Sequence, residues 1–154
     1  MVYQFKQGSY ISGNISAQTA GEVCEKLERE NRLTAKELLN VSRRADAPLH
    51  SAFEWRDDVA AEQYREQQAR HIINCICVVD EAKAAEPVRA FFNIIRTEQQ
   101  YQHIETILRS ETDTQLLLQQ ALRELEAFKK KYAQLEQLAE VFKAIEEIKN
   151  PSAA

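Results

Sequence analysis

The sequence predicts a mainly α protein carrying one small β-hairpin, and three observations support that. Only three Gly and three Pro occur in 154 residues, so long regular elements are expected in place of many tight turns. Apolar residues recur at spacings of three and four along several stretches, the period of a helix with one buried face. Two β-branched runs, 72–79 and 88–95, lie apart from that pattern and read as the two strands of an antiparallel hairpin with a longer loop between them. The boundary expected between a compact module and a helical appendage falls at 96/97, giving 1–96 and 97–150.

The chain opens with β-formers among turn residues: Val2, Tyr3, Phe5, Tyr10 and Ile11 with Gly8, Ser9, Gly13 and Asn14, which predicts a short strand or an extended arm. Ser16 is a sound N-cap, because its hydroxyl can accept from a backbone N–H of the first turn, and Ile15 can staple onto Ala20. A first helix follows, with Ala20, Val23, Cys24 and Leu27 on one face. Asn31 and Arg32 close it. Thr34 and Glu37 then form a capping box, with Leu33 and Leu38 as its hydrophobic staple, opening a second helix over about 35–44.

Residues 45–56 read as an anchored turn. Pro48 biases Ala47 away from helical geometry, and Leu49, Phe53 and Trp55, the only Trp, are too large and apolar to leave in water. Asp57 and Asp58 suit the positive end of a third helix over about 59–71. With the hairpin after it, the order helix–helix–turn–helix–hairpin is that of a winged-helix module. Thr97 and Gln100 repeat the capping-box pattern and predict a helix at 98–109 with Tyr101, Ile104 and Leu108 on one face. From Ser110 to Lys149 there is no Gly or Pro. There Leu118, Leu122, Leu125, Phe128, Tyr132, Leu135, Leu138, Phe142, Ile145 and Ile148 keep a mean spacing near 3.5, predicting one long helix of coiled-coil type.

The stretch from Leu33 to Ile73, with Pro48-Leu49-His50-Ser51-Ala52-Phe53-Glu54-Trp55 followed by AAEQYREQQARHII, resembles an uncharacterised family of small proteins encoded in phages and prophages. The resemblance covers the N-terminal two-thirds of the chain. It implies a genomic context and carries over no catalytic residues.

Composition limits the function classes. A formal charge of −4 with Lys and Arg interleaved among acids gives no global cationic field for nucleic acid, although a local basic face remains open. No apolar run reaches the ~20 residues of a membrane helix, and the polar start lacks the apolar core of a signal peptide, so the cytoplasm of a bacterial host is expected. Cys24, Cys75 and Cys77 are an odd count, best read as reduced thiols.

Each candidate chemistry has a plainer reading beside it. His71, Cys75 and Cys77, with His50, suggest a metal, but structural zinc sites use wider pairs and four convergent ligands, so no metal or other cofactor is assigned. A Cys75 nucleophile with His71 as base requires helix through both positions, and the surrounding Ile and Val predict a buried, protonated thiol. Glu54, Asp57 and Asp58 beside His50 suit helix-start and ion-pair roles better than acid–base work. No phosphate loop, nucleophile elbow, zinc helix or calcium loop is present, and no small-molecule substrate is evident, so the chain reads as non-enzymatic.

The clearest signal is self-association, or docking to another helical protein, through Leu118, Leu125, Tyr132, Leu135 and Phe142. The alternative is DNA binding, with Arg65, Gln67, Gln68 and Arg70 on the third helix and Arg43 and Arg44 at the backbone.

Overall fold

The computed structural model describes residues 1–56, 61–80, 86–95 and 99–151, and the chain is mainly helical with small antiparallel sheets. It divides into two compact units, Met1–Ile107 and Leu108–Ala154. The division falls some ten residues later than the sequence suggested, because the strand at 100–103 and the start of the short helix after it belong to the first unit.

In that unit β1 (Val2–Phe5) pairs antiparallel with β2 (Ile76–Val79), which pairs in turn with β3 (Val88–Arg89). Helix α1 (Ala17–Arg29) lies against β1, its start capped by Ser16 Oγ, which accepts from Thr19 N–H at 3.0 Å. Gly21 makes the close approach possible, since a Cβ there would enter the ring of Tyr3. Asn31, with φ of 54°, ends α1, and the Arg32 N–H returns to the Leu27 carbonyl at 2.9 Å, closing the helix through a left-handed residue.

Helix α2 (Ala35–Val41) opens as the capping signal predicted on one side only: Thr34 Oγ1 accepts from Glu37 N–H at 3.0 Å. The Glu37 carboxylate turns instead to Arg32, and Thr34 N–H donates to the Arg32 carbonyl at 2.8 Å. The helix also stops at Val41, short of Arg44, where buried Ser42 donates to the Leu38 carbonyl at 2.7 Å. Asp57 and Asp58, expected to start the third helix, lie outside the described residues.

Helix α3 (Ala61–Cys75) runs past the expected end at 71, so residues 72–75 are helix and not strand. Ala69, Ile72, Ile73 and Ile76 are all buried, a three-four spacing that keeps the chain helical until β2 takes over. The expected hairpin survives as the short pairing Cys77↔Arg89 and Val78↔Val88. After Ala90 the chain forms a different hairpin, β4 (Phe91–Ile95) with β5 (Gln100–His103), in register Phe91↔His103. The helix expected at 98–109 is thereby corrected: 100–103 are strand, with Tyr101 and His103 buried on one side, and helix α4 spans only Ile104–Leu108. Leu108 is exposed and Ile107 is buried in its place. Leu33, Leu38, Leu39, Leu49, Ile72, Ile73, Ile76 and Phe91 form the centre of the core.

The second unit also departs from expectation. The predicted continuous helix breaks: α5 (Glu111–Lys131) is capped by Ser110, bends after Tyr132 and returns through a 3₁₀ turn, Glu136–Leu138, as α6 (Ala139–Lys149). Ion pairs Lys129–Glu146 and Lys149–Glu126, the latter 2.9 Å, fix the two helices antiparallel. The heptad stripe therefore faces itself in part, as the Phe128 and Phe142 rings meet at 6.3 Å.

Candidate functional site

The sequence motif 48–55 builds an internal clamp. Leu49 and Phe53 enter the core. His50 begins a 3₁₀ turn, its Nδ1 lies 3.0 Å from the Ser42 carbonyl, and its ring stacks on Trp55 at 4.7 Å. Trp55 Nε1–H donates to the His50 carbonyl at 2.7 Å. The Arg65 guanidinium lies 5.2 Å from the centre of the same indole, donates to the Glu54 carbonyl at 2.6 Å and reaches the Arg56 carbonyl at 3.3 Å. Gln68 adds bonds to Glu54 N–H and the Ala52 carbonyl. These contacts tie the end of α2 and the turn to α3, so the motif's aromatic and amide groups are spent on folding. Glu54, bonded by the Arg56 side chain and backbone, is held down to about 2 and stays a carboxylate at any ordinary pH.

Of the DNA-contact residues expected from spacing, two are turned inward. Arg65 is buried and Gln68 faces the turn. Arg43 pairs with Glu62, Arg44 with Asp46 and Arg70 with Glu66, all at the surface, where such pairs exchange easily with solvent or another anion. What spacing missed, apart from Gln67, is the outward face of α3. Gln63, Tyr64, Gln67, His71 and Asn74 are exposed along it, and helix geometry sets them on one stripe. The N-terminal arm runs beside this stripe: Gly13, at φ of 75°, passes so close to Ser51 that a Cβ would clash with its carbonyl, and the Tyr10 carbonyl lies 3.0 Å from His71 Nε2. Between arm and helix is a cleft of about 300 Å³ lined by Tyr10, Ile11, Tyr64, Gln67 and His71 among others.

Because α3 continues through Cys75, His71 and Cys75 share a helix face, and Sγ lies 3.7 Å from both ring nitrogens. Cys75 is a buried residue. Burial pushes the Cys24 thiol up, and burial followed by the neighbouring Cys75 does the same to Cys77. Among the described residues, no group of three or more His, Cys, Asp or Glu side chains is placed to hold a metal ion. Nor is any described helix long and apolar enough to cross a membrane.

On the C-terminal hairpin, Leu125, Tyr132 and Phe142 are partly buried while Leu118 and Leu135 are exposed, 45% and 46% of their surface being open. Helix α5 has no buried residue along its 21 positions. Family models, curated proteins and solved structures compared with this chain gave no match.

Proposed function

We propose that this chain is a non-enzymatic accessory protein of a phage or prophage, working in the bacterial cytoplasm, that self-associates through its C-terminal helical hairpin. The observation that carries this reading is the uncovered apolar face of α5. Among the described residues of the second unit only Ile145 is buried, while Leu118, Phe128, Leu135, Val141 and Ile148 are exposed. A hairpin of that size cannot enclose a core of its own. Each half-exposed Leu, Val, Ile or Phe it covers against a partner is worth about 1 kcal/mol, enough in sum to hold two copies together. Two hairpins stacked face to face would make a four-helix arrangement, and a second copy supplies a matching stripe by symmetry.

The N-terminal unit is read here as a winged-helix-like module. Its support is one bridge: Thr34, between α1 and α2, pairs with Gln100 on β5, whose partner is β4, so a short edge among the three helices meets a hairpin that comes after them, with β1 preceding the helices and β2 and β3 lying before that hairpin. Light scattering on a sizing column tests the association. The wild type is expected to run as a dimer or larger, and Leu118→Glu with Phe128→Glu to run as a folded monomer. A wild-type monomer at high micromolar concentration would refute self-association and leave a different helical protein as the hairpin's partner.

A further inference from the structure

We infer that the outward face of α3, with the cations gathered at its C-terminal end, is a contact surface for duplex DNA. The stripe Gln63–Gln67–His71–Asn74, with Tyr64 beside it, extends roughly 16 Å at 1.5 Å per residue. Gln63, Gln67 and Asn74 carry amides; His71 Nε2 already lies 3.0 Å from the Tyr10 carbonyl, and Asn74 Oδ1 accepts from Arg89. Asn and Gln amides in particular can pair two-to-two with an adenine edge in the major groove, which is about 12 Å wide and admits one helix. The carboxylates of α3 are off this stripe: Glu62 pairs with Arg43 and Arg65, and Glu66 pairs with Arg70 at the surface, where such a pair exchanges easily with another anion.

Phosphate contacts have their own group of residues. Lys6 follows β1, and its backbone N–H donates to the Cys75 carbonyl at 2.7 Å, which sets it beside the last turn of α3. Arg89 donates to the Asn74 side chain and covers the Phe92 ring on the β4–β5 hairpin at 4.8 Å. Arg70 lies one turn before Asn74 on α3, so Lys6, Arg70 and Arg89 gather at the same end of the helix. Charge complementarity is thus local, on a chain that is acidic overall.

Three alternatives fit less well. A single strand wants a long groove lined by successive aromatic rings, and the cleft beside this face is short, about 300 Å³, with two tyrosines, Tyr10 and Tyr64. Duplex RNA closes its major groove to a helix. A protein partner would be met by apolar anchors, and apart from Tyr64 this stripe has none. The inference stands on α3 and its cations, and it holds whether or not the hairpin associates.

The test is fluorescence anisotropy of the full-length chain with a labelled duplex of mixed sequence at 50 and 200 mM salt. Three neutralised phosphates predict a slope near −2.7, hence about a 40-fold loss of affinity over that range. Lys6→Gln with Arg70→Gln, both at the surface, should flatten the slope by about two units with an unchanged melting curve. Lys130→Gln with Lys131→Gln should alter nothing. On a duplex enriched by selection, Gln67→Ala with Asn74→Ala should weaken binding about tenfold or more while leaving the salt slope near that of the wild type. Absence of binding at 50 mM overturns the inference. So does binding that the Lys6 and Arg70 substitutions leave untouched, or equal affinity for single strands or duplex RNA.

Discussion

Arg65 decides between two uses of α3, because a side chain that reads DNA must be free and one that pins the fold must not. In the structure it is 5% exposed and donates to two backbone carbonyls while covering Trp55. Truncation in Arg65→Ala strands the Glu54 and Arg56 carbonyls and uncovers the indole. Each hydrogen bond from a charged donor is worth about 1.5–3 kcal/mol, and the stacked cation adds up to about 2 kcal/mol. Against this stands the recovered cost of desolvating the guanidinium, several kcal/mol, which the variant no longer bears. The net expected loss is about 3 kcal/mol, in the range found when one partner of a buried charged pair is removed. For a module of some hundred residues that lowers the melting temperature by roughly 12–20 °C. Circular dichroism melting is the assay, with Arg65→Lys as the companion: charge is kept, but one ammonium cannot span both carbonyls in the guanidinium's plane, so about half the loss should remain. A shift of under about 3 °C in Arg65→Ala would refute the pin and return Arg65 to the DNA-contact set.

Gly21→Ala sets a helix-propensity gain of about 1 kcal/mol against a Cβ driven into the Tyr3 ring, an overpacking cost of about 1–3 kcal/mol. The expected outcome is net destabilisation in a urea titration, and Tyr3→Leu in the same chain should relieve most of it. Tyr3, Cys24 and Tyr101 are all pushed up, chiefly by burial. For such groups the stability is whole below the unfolded values, near 8.5 for a thiol and 10 for a phenol, and falls as pH rises because only the unfolded chain ionises. Urea midpoints should therefore decline above about pH 8.5, with Cys24→Ala flattening the first part of the decline.

Local signals were legible where a single turn of chain decides the outcome. Ser16, Thr34 and Ser110 each cap as their types require, and Leu33, Leu38 and Leu49 fill the core as their setting predicts. The misread elements share a cause: two periods fit the same residues, and a distant partner chose between them. Thr97 to Gln100 looked like a capping box, yet Gln-Tyr-Gln-His at 100–103 also alternates, and pairing with β4 and with Thr34 made it a strand. Residues 72–75 looked like strand, yet Ala69, Ile72 and Ile73 continue the helical spacing, and their burial against the core held the helix. On α3 the error was of face. Arg65 and Gln68 drew notice for their side-chain types, whereas the phase of the buried Ala69, Ile72 and Ile73 is what fixes which residues point outward.

The break after Tyr132 is harder to read, because Ala133 to Leu138 are good helix formers and nothing in their propensity stops α5. Charge gives one sign. Lys129, Lys130 and Lys131 suit the negative end of a helix, and Glu136 and Glu140 suit the positive start of the next. Burial gives the rest: folding back sets Phe128 against Phe142 and hides Ile145, contacts that one straight helix loses unless another chain replaces them. The same stripe therefore supports two arrangements, a hairpin within one chain and an extended helix exchanged between two, and swapping costs little when the contacts are identical. Spin labels at exposed Arg123 and Glu147 separate them. In the hairpin these positions sit close, flanking the Glu126–Lys149 pair, whereas a straight helix holds them about 36 Å apart within each chain. A short intrachain distance in singly labelled-chain mixtures, at every concentration, is the expected result. A long one would show that the helix predicted from the stripe is the associated form and that the hairpin belongs to the free chain.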